Sequence, residues 1–172
     1  MSKRRLAIGL AILLGVLAWY WFRPELLFVN ASVDEKPIEA AQHGEATVLG
    51  QGRFHGVAHE STGTATLQQL PDGRRVLRFT NFATSNGPAL HVYLIAADDA
   101  SDSATVSRVD TLDLGQLKGN SGDQNYELPA DVDLTKYRAV TVWCQRFSVN
   151  FATAPLARPA TREARTLSRV MG

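Results

Sequence analysis

The chain is poor in the sulfur residues on which many redox sites depend. It has a single cysteine, Cys144, among its 172 residues, so no disulfide can form within it. Its two methionines, Met1 and Met171, lie at the chain ends. A blue-copper centre with an axial methionine is therefore not expected, and neither is haem ligation by a His/Met pair.

Common catalytic signatures are also missing. The sequence contains no Gly-x-Ser-x-Gly elbow, His-Glu-x-x-His, Cys-x-x-Cys, Cys-x-x-Cys-His or phosphate-binding Gly-x-x-x-x-Gly-Lys-Ser/Thr segment. Ordinary hydrolases and nucleotide enzymes are therefore not expected. Between positions 46 and 157 there are nine Lys/Arg against eleven Asp/Glu, with no basic stripe interleaved with aromatics. That balance argues against nucleic acid as a partner.

The N-terminus carries the longest uncharged run. Lys3, Arg4 and Arg5 precede the uncharged residues 6–22, which end in an aromatic cluster at 19–22. A helix of that length spans about 25 Å, which suits one membrane crossing. The basic flank predicts a cytoplasmic N-terminus and a main domain outside the cytoplasm, periplasmic or extracellular. The alternative is a signal peptide cleaved after Ala31, where Val29-Asn30-Ala31 supplies small residues.

The rest of the chain divides by composition. We expect a cytoplasmic stub and membrane anchor (or uncleaved signal) over 1–23, a linker over 24–45, a β domain over 46–157 and a basic tail over 158–172. Short apolar or alternating segments separated by turn residues predict an all-β fold, an antiparallel β-sandwich or barrel-like domain behind the transmembrane helix. The predicted strands are 46–49, 52–58, 63–69, 75–82, 90–96, 110–114, 125–128, 139–144 and 147–151. A helical turn capped by Asp133 is expected at Leu134–Tyr137, and a solvated acidic loop at 98–103.

Cys144 ends one of these predicted strands. Alternation places Cys144 on one face with Val140 and Val142, and Trp143 on the other face with Thr141. The residues alone leave open a buried structural cysteine, a reactive thiolate, an intermolecular disulfide and a ligand to a metal or haem. Arg146 is the cation nearest in sequence that could stabilise a thiolate. His55, His59 and His91 are the imidazoles of the predicted domain, and spacing does not establish whether any of them meets Cys144.

Many short motifs in a fixed order resemble one family. They are Gly52-Arg53-Phe54, Ser61-Thr62-Gly63-Thr64-Ala65, Leu77-Arg78-Phe79, Asn86-Gly87-Pro88-Ala89-Leu90-His91-Val92-Tyr93-Leu94, Leu117-Lys118-Gly119-Asn120, Gly122-Asp123-Gln124-Asn125-Tyr126 and Trp143-Cys144-x-x-Phe147-Ser148-Val149-x-Phe151. Together they resemble the DM-thirteen domain over about residues 49–156.

This resemblance implies a sandwich-like extracytoplasmic domain, found elsewhere beside DOMON modules and proposed to transfer electrons. It implies that Cys144 acts as a naked thiol or as a ligand to a prosthetic group such as haem. His59 and His91 are then candidate co-ligands or bases, and the expected partners are the membrane and a redox protein. Such a chain is an electron-transfer or binding module rather than a stand-alone enzyme. The rival interpretation is a non-redox binding or scaffolding domain in which Cys144 is core packing.

Overall fold

The computed structural model describes residues 3–22, 30–38 and 44–159. These ranges contain an N-terminal helix, a short second helix and ten strands. The elements are α1 (Lys3–Phe22), β1 (Ser32–Asp34), β2 (Thr47–Arg53), β3 (His55–Gly56), β4 (Thr62–Gln69), β5 (Arg75–Ala83), β6 (Leu90–Ile95), α2 (Ser103–Arg108), β7 (Thr111–Gln116), β8 (Ser121–Glu127), β9 (Ala139–Cys144) and β10 (Val149–Pro155).

The strands form two five-stranded sheets. The first has the order β1-β8-β5-β4-β2 and the second the order β3-β10-β9-β6-β7. Neighbouring strands run antiparallel, except that β1 lies parallel to β8. The sheets are not closed into a barrel, so the predicted all-β sandwich is confirmed and the barrel-like variant is not adopted.

Apolar side chains from both sheets fill the space between them. Phe54 meets the rings of Phe79 and Phe82 edge-on, with ring centroids 4.8 and 4.9 Å apart. Aromatic pairs prefer this geometry, and burying each such ring contributes about 1.5–3 kcal/mol. A second, smaller cluster lies on the outer face of the second sheet beneath α2, formed by Ile95, Ala100, Val106, Ala139 and Trp143.

Helix α2 lies just beyond the acidic segment that the sequence predicts as a loop. Asp102 is its N-cap, and the Asp102 carboxylate accepts a 2.6 Å hydrogen bond from the Thr105 backbone N–H. That bond lowers the pKa of Asp102. The helical turn expected at Leu134–Tyr137 is instead a hydrogen-bonded turn, closed from Lys136 N–H to the Asp133 carbonyl, that does not extend into a helix.

Several strand bounds differ from the prediction, and two of the differences have a geometric reason. The predicted strand 52–58 is broken at the buried Phe54, so that β2 joins the first sheet and β3 joins the second. The predicted strand 147–151 begins later, at Val149, and continues to Pro155. Residues 145–148 are needed for the turn that joins β9 to β10.

Part of the predicted linker pairs with the sandwich. Strand β1 pairs with β8, and the Glu35 carboxylate accepts hydrogen bonds from Lys118 Nζ (2.7 Å) and Asn125 N (2.8 Å). Burial alone would raise the pKa of Glu35, but these bonds outweigh it and hold the pKa below its usual range. Gly122 has a positive φ of 97°, and a Cβ there would lie 1.8 Å from the Val33 carbonyl oxygen. Glycine at this position therefore permits the pairing.

Helix α1 is long and apolar enough to cross a membrane. Its described apolar side chains make no core: Leu13, Trp19 and Tyr20, for example, are 55, 62 and 80% exposed. Length and composition suit a single anchor, while the side of the membrane on which each part lies stays a prediction. The proposed cleavage motif falls partly outside the described residues, at Val29, and so does the basic tail from residue 160 onward.

Candidate functional site

Cys144 is the last residue of β9 and is fully buried. In the sheet it is paired with Leu90 of β6 and Val149 of β10. Directly opposed residues of antiparallel strands point to the same face, so the thiol lies among apolar side chains of the core between the sheets. The predicted alternation is confirmed, because Val140 and Val142 belong to the same core.

Phe151 packs in the core that contains Cys144. It is the extra residue of a β-bulge, since Asn150 pairs with Trp143 and Ala152 pairs with Val142. A Cβ built on Gly87 would lie 2.8 Å from the side chain of Leu90 and 2.9 Å from that of Phe151. The loop carrying Gly87 therefore packs closely against both. We call Leu90, Val149 and Phe151 the thiol cover.

His59 lies beside this cover. Its imidazole packs on the Phe151 ring with 4.1 Å between centroids and a 39° tilt between the planes. The strand-like contacts from Val57 N–H to the Phe151 carbonyl and from Ala58 N–H to the Asn150 carbonyl hold the preceding segment against β10. Phe151 therefore lies between His59 and the core that contains Cys144. Among the described residues, the imidazole makes no hydrogen bond with the thiol.

His91 lies on the opposite face of the second sheet. It pairs with Trp143 and precedes Val92 of the inner face, so its side chain points outward. The His91 Nδ1 atom is 2.9 Å from the nearer carboxylate oxygen of Asp113. The side chain of His91 is 14% exposed and that of Asp113 is 42% exposed.

The neighbours of this pair complete a polar cluster. Gln145 Nε2 donates to the Tyr93 hydroxyl (2.7 Å) and to Asp113 (3.2 Å), and Gly115 N–H donates to the same carboxylate (2.8 Å). A carboxylate on one ring nitrogen orients an imidazole and fixes its tautomer, which is how such pairs support ligands elsewhere. We call His91, Tyr93, Asp113 and Gln145 the outer polar cluster.

The structure therefore does not bring Cys144 and His91 together. They occupy neighbouring strands, but the sheet lies between the thiol and the imidazole. Within residues 3–22, 30–38 and 44–159, no three His, Cys, Asp or Glu side chains converge as a metal site would require. Arg146, the cation nearest in sequence, lies in the exposed turn, and its Nη1 donates to the Trp21 carbonyl (2.9 Å).

Haem with Cys144 as an axial ligand does not fit this packing. Cys144 is fully buried, and it lines neither the cavity of about 250 Å³ beside Gly87 and Leu90 nor the cavity of about 690 Å³ beside His59. A groove of about 600 Å³ borders Leu67, Arg75 and Leu156 at the other end of the sandwich. This groove lies near the start of β9, whereas Cys144 is the last residue of that strand.

Sequence reasoning missed a buried polar network on the outer face of the second sheet. Asn150 donates through Nδ2 to the Ala100 carbonyl (3.0 Å) and to Thr153 Oγ1 (2.9 Å), while Thr141 donates to Asn150 Oδ1 (2.6 Å). All three side chains are fully buried. Polar residues alternating with apolar ones along β9 and β10 were the available signal, but their partner at Ala100 is some fifty residues away.

His55 also finds a carboxylate. Its Nε2 lies 2.7 Å from Asp99, which additionally accepts the Ala100 N–H (2.8 Å). Both side chains are well exposed, at 39 and 45%. Such an exposed pair fixes the loop before α2 and contributes little to stability.

The comparison with family models gives a match over most of the sandwich. A model described as "Electron transfer DM13" matches residues 53–156, which is more than half of the chain. The chain belongs to the DM-thirteen family. The DM-thirteen match includes Cys144, His59 and His91 and confirms the resemblance seen in the motifs. No curated protein and no solved structure matches the chain.

Proposed function

We propose that this chain is a membrane-anchored electron-transfer module in which Cys144 is a shielded redox thiol. The family's description supports the electron-transfer class, and helix α1 supports the anchor. The anchor would hold the sandwich outside the cytoplasm, where disulfides persist and thiol exchange has partners. Of the two roles expected for Cys144, the geometry favours the bare thiol, because the packing around it does not accommodate haem.

The observation that carries this proposal is the position of the thiol within its strand. Cys144 is buried, yet it ends β9 immediately before the exposed turn 145–148. The bulge at Phe151 interrupts the pairing of β10 with β9 between Trp143 and Val142, and Ser148 in the turn has a positive φ of 53°. Strand ends with interrupted pairing open at lower free energy than the core. The cysteine is therefore protected in the closed state and reachable by local opening.

The chemistry would be thiol–disulfide exchange with a disulfide-bearing redox protein. On opening, Cys144 loses its proton and the thiolate attacks one partner sulfur; the partner's other sulfur leaves and takes up a proton. One S–S bond breaks and one forms, so the mixed disulfide and the free partner thiol balance the reactants. His59, which packs on Phe151, is the candidate base. His91 receives no role in this step because it lies beyond the sheet.

The test uses the full chain in lipid nanodiscs, with glutathione disulfide as the probe. The proposal predicts a Cys144–glutathione adduct that forms without unfolding and reverses with reduced glutathione, and an absorption spectrum without a Soret band. Mass spectrometry measures the adduct, with Cys144→Ala as the unreactive control. A His59→Gln variant should slow adduct formation without changing the midpoint ratio of the two glutathione forms. A folded chain that forms no adduct would reject the proposal.

A second candidate has its own support. Complete burial among apolar side chains is what a structural cysteine shows, since free cysteine behaves as a small hydrophobe. Under this alternative the chain is a non-redox binding or scaffolding domain, and Cys144→Ala leaves its function intact. The absence of any adduct in the nanodisc experiment would favour it.

A further inference from the structure

The turn between β9 and β10 presents an exposed aromatic side chain. Phe147 is 58% exposed, next to Arg146, with Gln145 and Ser148 as polar neighbours. Among described residues outside α1, Val48 is the other large apolar side chain with comparable exposure, at 41%. An exposed phenylalanine next to an arginine suits a lipid interface, because the ring can enter the apolar region while the cation stays at the headgroups.

The segment that follows α1 contacts the sandwich at the end that carries the turn 145–148. Asn30 Oδ1 accepts hydrogen bonds from Asn86 Nδ2 (2.9 Å) and Asn120 Nδ2 (3.1 Å), and Asn120 in turn accepts the Ala31 N–H (2.8 Å). Asn86 precedes Gly87, which packs on Leu90 of the thiol cover. Asn30 is therefore held at the Cys144 end rather than at the end where β9 begins.

The connection between the anchor and Asn30 is short. Eight peptide steps separate Phe22 from Asn30, and a fully extended chain of that length reaches roughly 26–29 Å. Strand β9 is itself about 20 Å long at the usual rise per residue. If the opposite end of the sandwich faced the membrane, Asn30 would lie about 20 Å farther from it. Most of the connection would then be needed only to reach Asn30. The tether thus favours the Cys144 end as the end that faces the membrane.

A direct contact gives the same orientation. Arg146 Nη1 donates to the carbonyl of Trp21, one residue before the end of α1. The last carbonyls of a helix lack partners within the helix, and a cation there also interacts favourably with the helix dipole. Trp19, Tyr20 and Trp21 are the aromatic residues that usually mark the headgroup level of a membrane helix. The contact therefore places Arg146 of the turn beside this aromatic end of α1.

We propose that the turn 145–148 rests on the outer lipid surface, with Phe147 inserted among the headgroups and Arg146 facing lipid phosphates. This inference rests on the membrane anchor of the proposed function, but not on the redox role of Cys144. Docking of this end would fix the orientation of the whole sandwich. The groove bordered by Leu67 and Leu156 would then face away from the membrane.

Spin-label depth measurements test this orientation on the full chain in nanodiscs of phosphatidylcholine with one-quarter phosphatidylglycerol. A nitroxide is placed by Phe147→Cys, or by Val48→Cys at the opposite end, each in a Cys144→Ala background. Leu13→Cys in α1 serves as the depth reference. Collision with oxygen, which concentrates in lipid, is compared with collision with a water-soluble nickel chelate.

We expect the oxygen-to-nickel collision ratio at position 147 to be several-fold higher than at position 48 and lower than at position 13. Equal ratios at 147 and 48, with a buried label at 13, would overturn the docking while leaving the anchor intact. A water-exposed label at 13 would reject the anchor and the docking together, without bearing on the reactivity of Cys144. Replacing Arg146 by Gln should move the 147 label toward water.

Discussion

The two faces of strand β9 have opposite chemistry. On the inner face, Val140, Val142 and Cys144 lie in the apolar core, and no hydrogen bond to the Cys144 side chain occurs among the described residues. On the outer face, Thr141 belongs to a buried hydrogen-bond network, and Trp143 is paired with His91 of the outer polar cluster. Residues adjacent in sequence therefore lie in different surroundings, one apolar and one hydrogen-bonded.

This difference constrains the chemistry of the domain. An imidazole–carboxylate pair and a thiol that are separated by a sheet cannot ligate one metal ion, because ligands must converge within about 2.0–2.3 Å of it. The apolar face instead shields the thiol from solvent. Any reactivity of Cys144 then depends on how readily the inner face opens near the end of β9.

The largest effect should come from removing the thiol cover. Phe151→Ala deletes a ring that is 5% exposed and should destabilise the fold by about 3–5 kcal/mol. Chemical denaturation measures this loss, and the reaction of Cys144 with thiol reagents should accelerate in parallel. Phe147→Ala, which removes an exposed ring from the neighbouring turn, is the matched control and should change the free energy of unfolding by less than about 0.5 kcal/mol. Equal effects of the two changes would contradict the assignment of Phe151 as cover.

The next effect concerns the outer network. Asn150→Ala removes one buried partner each from the Thr141 hydroxyl, the Thr153 hydroxyl and the Ala100 carbonyl. Thr141 keeps its bond to the Ala152 carbonyl (3.0 Å) and Thr153 keeps its bond to the Ala100 carbonyl (3.0 Å), so we expect a loss of about 1–3 kcal/mol. The Asn150 backbone N–H also donates to Ser103 Oγ (2.9 Å), and Ser103→Ala is a milder control that removes one bond at the edge of the same network. Thermal or chemical denaturation of both variants measures the loss in free energy of unfolding. A loss below about 0.5 kcal/mol for Asn150→Ala would mean that the network is not needed to hold α2.

A reciprocal pair of substitutions contrasts the faces directly. Cys144→Ser places a hydroxyl on the apolar face, and Thr141→Val removes one from the polar face. Each should cost about 1–2 kcal/mol, the first through an unsatisfied hydroxyl and the second through a lost partner of Asn150. Cys144→Val and Thr141→Ser, which keep the character of each face, should be better tolerated. If Cys144→Ser proves neutral, the inner face is more hydrated than the packing indicates.

The smallest effect is expected at the outer polar cluster. Asp113→Asn weakens its contact with His91, but the carboxylate is 42% exposed, so the loss of stability should stay below about 1 kcal/mol. Denaturation should register little change, and the thiol reaction of Cys144 none. A marked change in thiol reactivity would show that the two faces are coupled.

Several features of the molecule followed from the sequence. Alternation along 139–144 was sufficient to place Cys144 inside and Trp143 outside, because a strand has a period of two. The motif order from Gly52 to Phe151 was sufficient to identify the family. The turn residues between short strands predicted an all-β sandwich or barrel-like domain, and the two separate sheets show that it is a sandwich.

Other features depended on contacts that are distant in sequence. The pairing of Ser32–Asp34 with β8 is not visible in a three-residue segment, and it depends on the space left at Gly122. Helix α2 is only six residues long, so its apolar period is too short to recognise. The separation of His91 from Cys144 could be deduced only once β6 and β9 were known to be neighbours in one sheet. Only then do their opposite faces place the imidazole and the thiol on opposite sides.

The central claim is that Cys144 reacts by local opening at the end of β9. Its most direct test is the rate of thiol labelling of the full chain in nanodiscs, measured at increasing, sub-denaturing concentrations of urea and compared with global unfolding under the same conditions. Local opening exposes little surface, so the account predicts a labelling rate nearly independent of urea and faster than global unfolding allows. A rate that follows global unfolding at every urea concentration would contradict it and leave Cys144 as core packing.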